Sequence, residues 1–216
     1  MSTTIRGLIF DLDGVITDTA EYHFLAWKRL ADEEGIAFTR DDNEALRGVS
    51  RRESLNRMLK GQPIDEATAQ AWMERKNNYY LDYLNEITPA GVLAGVTDLL
   101  AQAKAAGMKL GLGSASKNAH KVLEKLGMAQ TFDVIGDGYS VVNPKPAPDL
   151  FVWVAGGLGV YPTQAIVFED AEAGIDAARA GGFWTVALGG AAGEHGHIRL
   201  PSLASASLDS ILARIA

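Results

Sequence analysis

Two pairs of carboxylates in this chain stand where carboxylates are costly. Asp11 and Asp13 come directly after the apolar run Leu8-Ile9-Phe10, and Glu169 and Asp170 close the run Ala165-Ile166-Val167-Phe168. Side chains two apart on a strand share a face, so Asp11 and Asp13 are predicted to look into one site while Leu12 points to the core. With both strands central in one sheet, all four carboxyl groups reach the carboxyl-terminal sheet edge, where open α/β sheets bind ligands. Like charges so close raise one another's pKa unless a cation neutralises them. An all-oxygen site of this kind suits Mg²⁺, which takes few protein ligands and keeps positions open for water and phosphate. Either pair alone could equally cap a helix or end a solvated loop; the repetition after two apolar strands favours the metal and phosphate reading.

Two other stretches add phosphate-binding chemistry. "GLGSAS" puts Ser114 and Ser116 just beyond an apolar run, where hydroxyls and the amides of a starting helix can hold phosphate oxygens, or simply cap that helix. "NPKPAPD" sets Lys145 between prolines that restrict its backbone. Outside the surrounding pattern this lysine reads as a solvated loop residue, and a cis Lys145–Pro146 bond is one option for the segment.

The elements that must carry these residues follow from periodicity. Ile5 to Phe10 reads as a short buried strand. From about Ala20 to Asn85 apolar residues recur at helical spacing with charge between them, an all-helical insert. After "TPAGVLAG" the rhythm becomes helix then strand: Thr97–Ala106, "MKLGLG", Lys117–Leu126, "FDVIG", "APDLFVWVAGGLG", "AIVFE", "DAEAGIDAARAG", "FWTVAL". Strands alternating with helices of about ten residues imply right-handed βαβ units and a parallel sheet covered on both faces. Beyond Leu188 the tail is Gly- and Ala-rich, then helical from about Leu208, with no chemistry to read.

In that order, Asp11-Leu12-Asp13-Gly14, Ser114, Lys145 and Glu169-Asp170 resemble the four motifs of the haloacid dehalogenase (HAD) superfamily of phosphotransferases. The resemblance implies a doubly wound, Rossmann-like α/β core of residues 1–17 and 89–216 with an inserted α-helical cap domain of residues 18–88. It also implies that Asp11 is the nucleophile, taking the phosphoryl group as an aspartyl phosphate. Asp13 is then general acid and base, and Ser114 and Lys145 balance charge on the transferring group. Mg²⁺ is expected on Asp11, the main-chain carbonyl of Asp13, Glu169 and Asp170.

The segments "FDLDGVITDTAEYHFLAWKRLA", "LRGVSRRESL", "RKNNYY", "GSASKN", "KPAPDLF" and "EDAEAGIDA" are similar to the hexose-phosphate mutase branch of that superfamily. This implies interconversion of β-glucose 1-phosphate and glucose 6-phosphate through an enzyme-bound bisphosphate, with a sugar-phosphate phosphatase as the alternative. Thr19 and His23, with Lys76, are expected to couple cap closure to Asp13. Gly48, Val49 and Ser50 would face the sugar, Arg51 would grip the remote phosphate with its planar fork, and Ser54 would assist. Lys76 and Asn77 lie in a long helix where charges ordinarily face solvent. Ala115, Ser116, Lys117 and Asn118 would reach the sugar or remote phosphate from the core. Trp72, Tyr79, Tyr80 and Tyr83 have helical spacings and read as cap packing. Arg47 stands where the resemblance leads one to expect a lysine, which keeps the charge.

The resemblance implies small sugar phosphates as partners, and composition leaves a small anionic substrate open. Of 216 residues 47% are hydrophobic and 22% charged, ordinary for a globular chain, and the net charge of -7 with no basic stripe argues against nucleic acid. The lack of any cysteine excludes disulfides, thiolate metal sites and a Cys nucleophile, and fits a reducing compartment. No stretch has the order of a signal peptide, and no apolar run approaches the roughly 18 residues of a membrane span. The reading is a soluble, cytoplasmic monomer without membrane contact.

Overall fold

The computed structural model describes residues 4–190 and 195–215. They form a six-stranded, all-parallel sheet: β1 (Gly7–Phe10), β2 (Lys109–Gly113), β3 (Val134–Gly136), β4 (Ala165–Glu169), β5 (Trp184–Leu188) and β6 (Ile198–Leu200), in the order β3-β2-β1-β4-β5-β6. Every residue of β1 and β4 is buried, as strands covered on both faces require. The chain winds outward from β1 to β2 and β3 on one side and through β4, β5 and β6 on the other. Between β1 and β4 the order reverses, which opens a crevice at the carboxyl ends of those two strands.

The tail holds one surprise. Residues Ile198–Leu200 extend the sheet beside Val186–Leu188, a strand that the sequence pattern does not predict. A three-residue segment with a charged centre, Ile-Arg-Leu, is too short for alternation to register. The last helix, α9 (Leu208–Leu212), begins where the sequence reading put it.

Helices α5 (Val96–Ala105), α6 (Ala119–Lys125), α7 (Asp149–Leu158) and α8 (Glu172–Ala180) cover the sheet. One face buries Leu8, Phe10, Leu110, Leu112, Ile166 and Phe168 with α5 and α6; the other buries Ile9, Val167 and Phe151 with α7 and α8. Between β1 and α5 come α1 (Ala20–Glu33), α2 (Arg40–Glu44), α3 (Arg51–Met58) and α4 (Glu66–Tyr83). They hold a core of their own, including Phe24, Trp27, Leu30, Phe38, Leu55, Met58 and Met73. The chain leaves the sheet and returns to it by two adjacent segments: Thr17 Oγ1 donates to the Gly91 carbonyl at 2.8 Å, and the Leu93 amide donates to the Ile16 carbonyl at 2.9 Å. The helical unit is therefore tethered at one narrow point.

Candidate active site

The strand register brings the carboxylates together. Phe10 pairs with Leu112 on one side and Phe168 on the other, so Asp11 lies beside Glu169 and next to the end of β2. Below this edge the Phe10 and Phe168 rings stack with centroids 4.6 Å apart, giving the charged layer an apolar floor. The Asp11 carboxylate is fixed at both oxygens: Oδ2 accepts the Asp13 amide at 2.9 Å, and Oδ1 accepts Lys145 Nζ at 2.6 Å. Lys145 also donates to Glu169 Oε2 at 2.8 Å. Its side chain has no solvent exposure, so the solvated loop lysine of the sequence is instead a buried bridge between two strand ends. The Lys145–Pro146 bond is cis.

Electrostatics sharpen the cluster. Burial, then the Asp11 charge, push Glu169 and Asp170 upward, Asp170 to about 6. Asp13 rises to about 7 by burial and the Asp11 charge, with the Thr19 hydrogen bond pulling the other way. Burial alone would lower the Lys145 ammonium, yet Asp11 and Glu169 hold its pKa above the usual lysine value. Ligand oxygens of Asp11, Glu169 and Asp170 lie within 4.8 Å of one another, a buried all-carboxylate set. Lys145 and the Arg47 guanidinium on Asp170 offset only part of the charge of these carboxylates and Asp13, and the surplus negative charge fits a hard divalent cation. Gly14 makes the turn possible: its φ is +79°, and a Cβ there would stand 1.9 Å from Asp170 Oδ2.

The helical unit closes over this edge. Asp11, Asp13, Gly14, His23, Trp27, Arg47, Gly48, Val49, Arg51, Ser54, Lys76, Ala115, Ser116, Lys117 and Asp170 line one cleft. Thr19 Oγ1 donates to Asp13 Oδ1 across the junction. Behind it, Lys76 Nζ lies 2.8 Å from His23 Nδ1. Burial holds His23 well below the ordinary histidine range, so the neutral ring accepts and Lys76 donates. Lys76 is buried despite its helical charged surroundings, because His23 and the rings of Trp27 and Tyr80 enclose it; burial, then the Arg51 charge, hold its pKa well below the usual lysine value, and its Nζ stands 5.0 and 4.9 Å from those centroids. Tyr80 stacks on His23 at 4.1 Å, so it does more than the cap packing read from spacing. Trp72, Tyr79 and Tyr83 do pack at the edges of the cores.

The remaining expected residues divide. Asn77 does not line the cleft; its Oδ1 accepts Arg51 Nη2 at 2.8 Å and Asn118 Nδ2 at 2.9 Å, tying α3 and α4 to the core. Burial lowers the Arg51 guanidinium pKa. Ser50 serves as N-cap of α3, accepting the Glu53 amide, and Ser54 Oγ donates to the Ser50 carbonyl. Ser114 and Ser116 hydroxyls accept the amides of Ser116 and Asn118 in local turns ahead of α6; the N-cap of that helix is Asn118, with no side-chain cap bond, so the capping reading of these serines does not hold. Sequence reasoning missed the partner of Arg47: its guanidinium donates to Asp170, 123 residues away.

Gly48 lays the helical unit close against the core. Its φ is +71°, and a Cβ would meet the Ala171 Cβ at 2.7 Å. Gly48→Ala is expected to lower kcat/KM by about 10²-fold, since a displacement near 1 Å is enough for that. The left-handed strain costs only about 1 kcal/mol, so thermal unfolding moves by about 3 °C. Parallel kinetics and melting curves check this; a melting shift with unimpaired kcat/KM would count against the closure.

A family model described as haloacid dehalogenase-like hydrolase matches residues 5–182. The chain is 44% identical over 189 residues to a β-phosphoglucomutase of Bacillus subtilis, covering 86% of this chain and 84% of the relative. It is 34% identical over 179 residues to a fructose-1-phosphate phosphatase of Escherichia coli, covering 82% and 92%. The crystal structure of a β-phosphoglucomutase from Clostridium difficile superposes with a TM-score of 0.94 at 40% identity, covering 98% of this chain and 97% of the other.

Proposed function

We propose, for a chain that belongs to the haloacid dehalogenase-like hydrolase family, that it works as a β-phosphoglucomutase. It interconverts β-glucose 1-phosphate and glucose 6-phosphate through an aspartyl-phosphate enzyme and β-glucose 1,6-bisphosphate. The observation that carries this reading is the contact of Thr19 with Asp13, backed by His23 and Lys76. It supports an acid–base group that is engaged only when the cap is closed, which is what a mutase needs to favour a sugar hydroxyl over water. Residues 18–88 are the moving cap and 1–17 with 89–216 the core; the tether at Thr17 and Gly91 supports that division.

In this proposal Asp11 attacks phosphorus while the bond from phosphorus to the sugar oxygen breaks, and the Asp13 carboxyl gives that oxygen its proton. In the return half-reaction the other sugar hydroxyl gives its proton to Asp13 and attacks the aspartyl phosphate, freeing Asp11. A group with its pKa raised to about 7 can serve in both directions near neutrality. Ser114 and Lys145 hold the transferring phosphoryl oxygens. Arg51 from the cap, with Ser116, Lys117 and Asn118 from the core, holds the remote phosphate; Gly48, Val49, Ser50, Ser54 and Ala115 shape the sugar space. Asn77 keeps Arg51 and Asn118 in place. The carboxylates of Asp11, Glu169 and Asp170 and the Asp13 carbonyl would hold Mg²⁺, which offsets charge on the transferring group. A monomer in the cytoplasm completes the proposal; the cysteine-free sequence fits a reducing compartment, and among the described residues no helix is long and apolar enough to cross a membrane.

The test supplies β-glucose 1-phosphate, Mg²⁺ and a trace of the 1,6-bisphosphate, and follows glucose 6-phosphate and free phosphate together. Glucose 6-phosphate without matching phosphate release is expected; stoichiometric phosphate alone would turn the reading to a phosphatase. In the same assay Arg51→Ala is expected to lower kcat/KM by about 10²-fold, the weight of a charge-assisted fork on phosphate. Undiminished turnover would remove Arg51 from the site.

A further inference from the structure

We infer that Tyr139 is a positioning residue for the remote phosphate, its ring holding the Lys117 ammonium at the mouth of the cleft; this rests on the sugar-bisphosphate reading above. Lys117 lines the cleft, and its Nζ stands 4.6 Å from the centroid of the Tyr139 ring. Tyr139 is 71% exposed and lies outside the hydrophobic clusters of the described residues, so packing does not explain a large ring there.

The loop between β3 and α7 is built to place it. Asp137 organises a tight turn: its amide donates to Ser140 Oγ at 2.9 Å, its Oδ1 accepts the Tyr139 amide at 2.9 Å, and its carbonyl accepts the Ser140 amide at 3.0 Å. Gly138 then lays the turn against the Ser114–Asn118 segment, donating to the Ser116 carbonyl at 3.1 Å. A Cβ at Gly138 would stand 2.7 Å from the Ala115 carbonyl oxygen and 2.8 Å from Lys117 Cγ, so this docking needs a glycine for its closeness. The side chain that follows is thrown over Lys117. Arg51 lines the same cleft from the cap.

A ring suits this task better than a carboxylate. An exposed lysine samples many rotamers, and binding phosphate must freeze them. Aspartate or glutamate would hold the ammonium but cancel its charge toward phosphate, whereas an aromatic face attracts it and leaves its full charge available.

The test compares wild type, Tyr139→Phe and Tyr139→Leu by three readouts: the Kd of β-glucose 1,6-bisphosphate from calorimetry, kcat and KM in the mutase assay, and the Lys117 Hε chemical shift in the free protein. Tyr139→Leu is expected to raise Kd and KM about threefold with kcat nearly unchanged and to abolish the upfield ring shift of Lys117 Hε, while Tyr139→Phe keeps wild-type values. An unshifted Lys117 Hε in wild type, unchanged Kd in Tyr139→Leu, or equal weakening in Tyr139→Phe would each overturn the inference. Wild type that makes no glucose 6-phosphate would defeat the mutase reading alone, and the bisphosphate Kd and the Hε shift would still decide the role of Tyr139.

Discussion

Asp11→Asn is expected to lower turnover by at least about 10⁴-fold and to leave no acid-stable, hydroxylamine-sensitive phosphoenzyme. An amide has no anionic oxygen with which to attack phosphorus, and no other carboxylate takes its place: Glu169 is held by Lys145 and the Ala171 amide, and Asp13 by Thr19. The fold should survive, for two effects oppose each other. The amide nitrogen must face either the Asp13 N–H or the Lys145 ammonium, donor against donor, which costs about 1–3 kcal/mol. Against this, removing one charge relieves Glu169, Asp170 and Asp13, all raised by Asp11. Turnover is measured beside labelling of the denatured protein after exposure to labelled bisphosphate; label persisting in the variant would remove Asp11 as nucleophile.

Lys145→Ala is expected to damage both stability and chemistry. The substitution leaves the buried Asp11 and Glu169 without the cation that bridges them, and breaking such a pair typically costs about 3–5 kcal/mol. The sign across pH is simple: the folded pKa of Lys145 is raised, so its contribution is fully present below the unfolded value near 10.4 and is lost only as pH rises through the folded value. At neutral pH the variant therefore lacks the whole contribution, and its urea midpoint should fall. Loss of a preorganised charge on the phosphoryl oxygens lowers kcat by a further factor of about 10²–10³ in the fraction that remains folded. Lys145→Met, which restores volume without charge, should recover little of either; substantial recovery of kcat would mean that packing and not charge is what Lys145 supplies.

How much of this was legible before the structure depends on the range of each interaction. The carboxylates at the ends of β1 and β4 follow from local facts, an apolar run and the two-residue repeat of a strand, and their convergence follows from a parallel sheet. The helical insert was visible in its spacing. Lys145 was not legible as a buried group, because a lysine among prolines looks solvated until Asp11, 134 residues away, is brought to it. Lys76 shows the same limit on a helix: its neighbours Arg75 and Asn77 suggest a wet face, and only His23, Trp27 and Tyr80 from elsewhere on α1 and α4 close around it. Family resemblance pointed to both residues where periodicity could not. Arg47 with Asp170, and Tyr139 over Lys117, were beyond either kind of reading, since they depend on how the helical unit and the core loops meet.

In the proposed mutase a closed cap directs the phosphoryl group on Asp11 to sugar in preference to water. Phosphoenzyme prepared from labelled bisphosphate and mixed with β-glucose 1-phosphate should pass most of its label to sugar bisphosphate within the first turnover, with little labelled inorganic phosphate. Label released chiefly as inorganic phosphate, at a rate indifferent to added sugar phosphate, would contradict the account and make the protein a phosphatase.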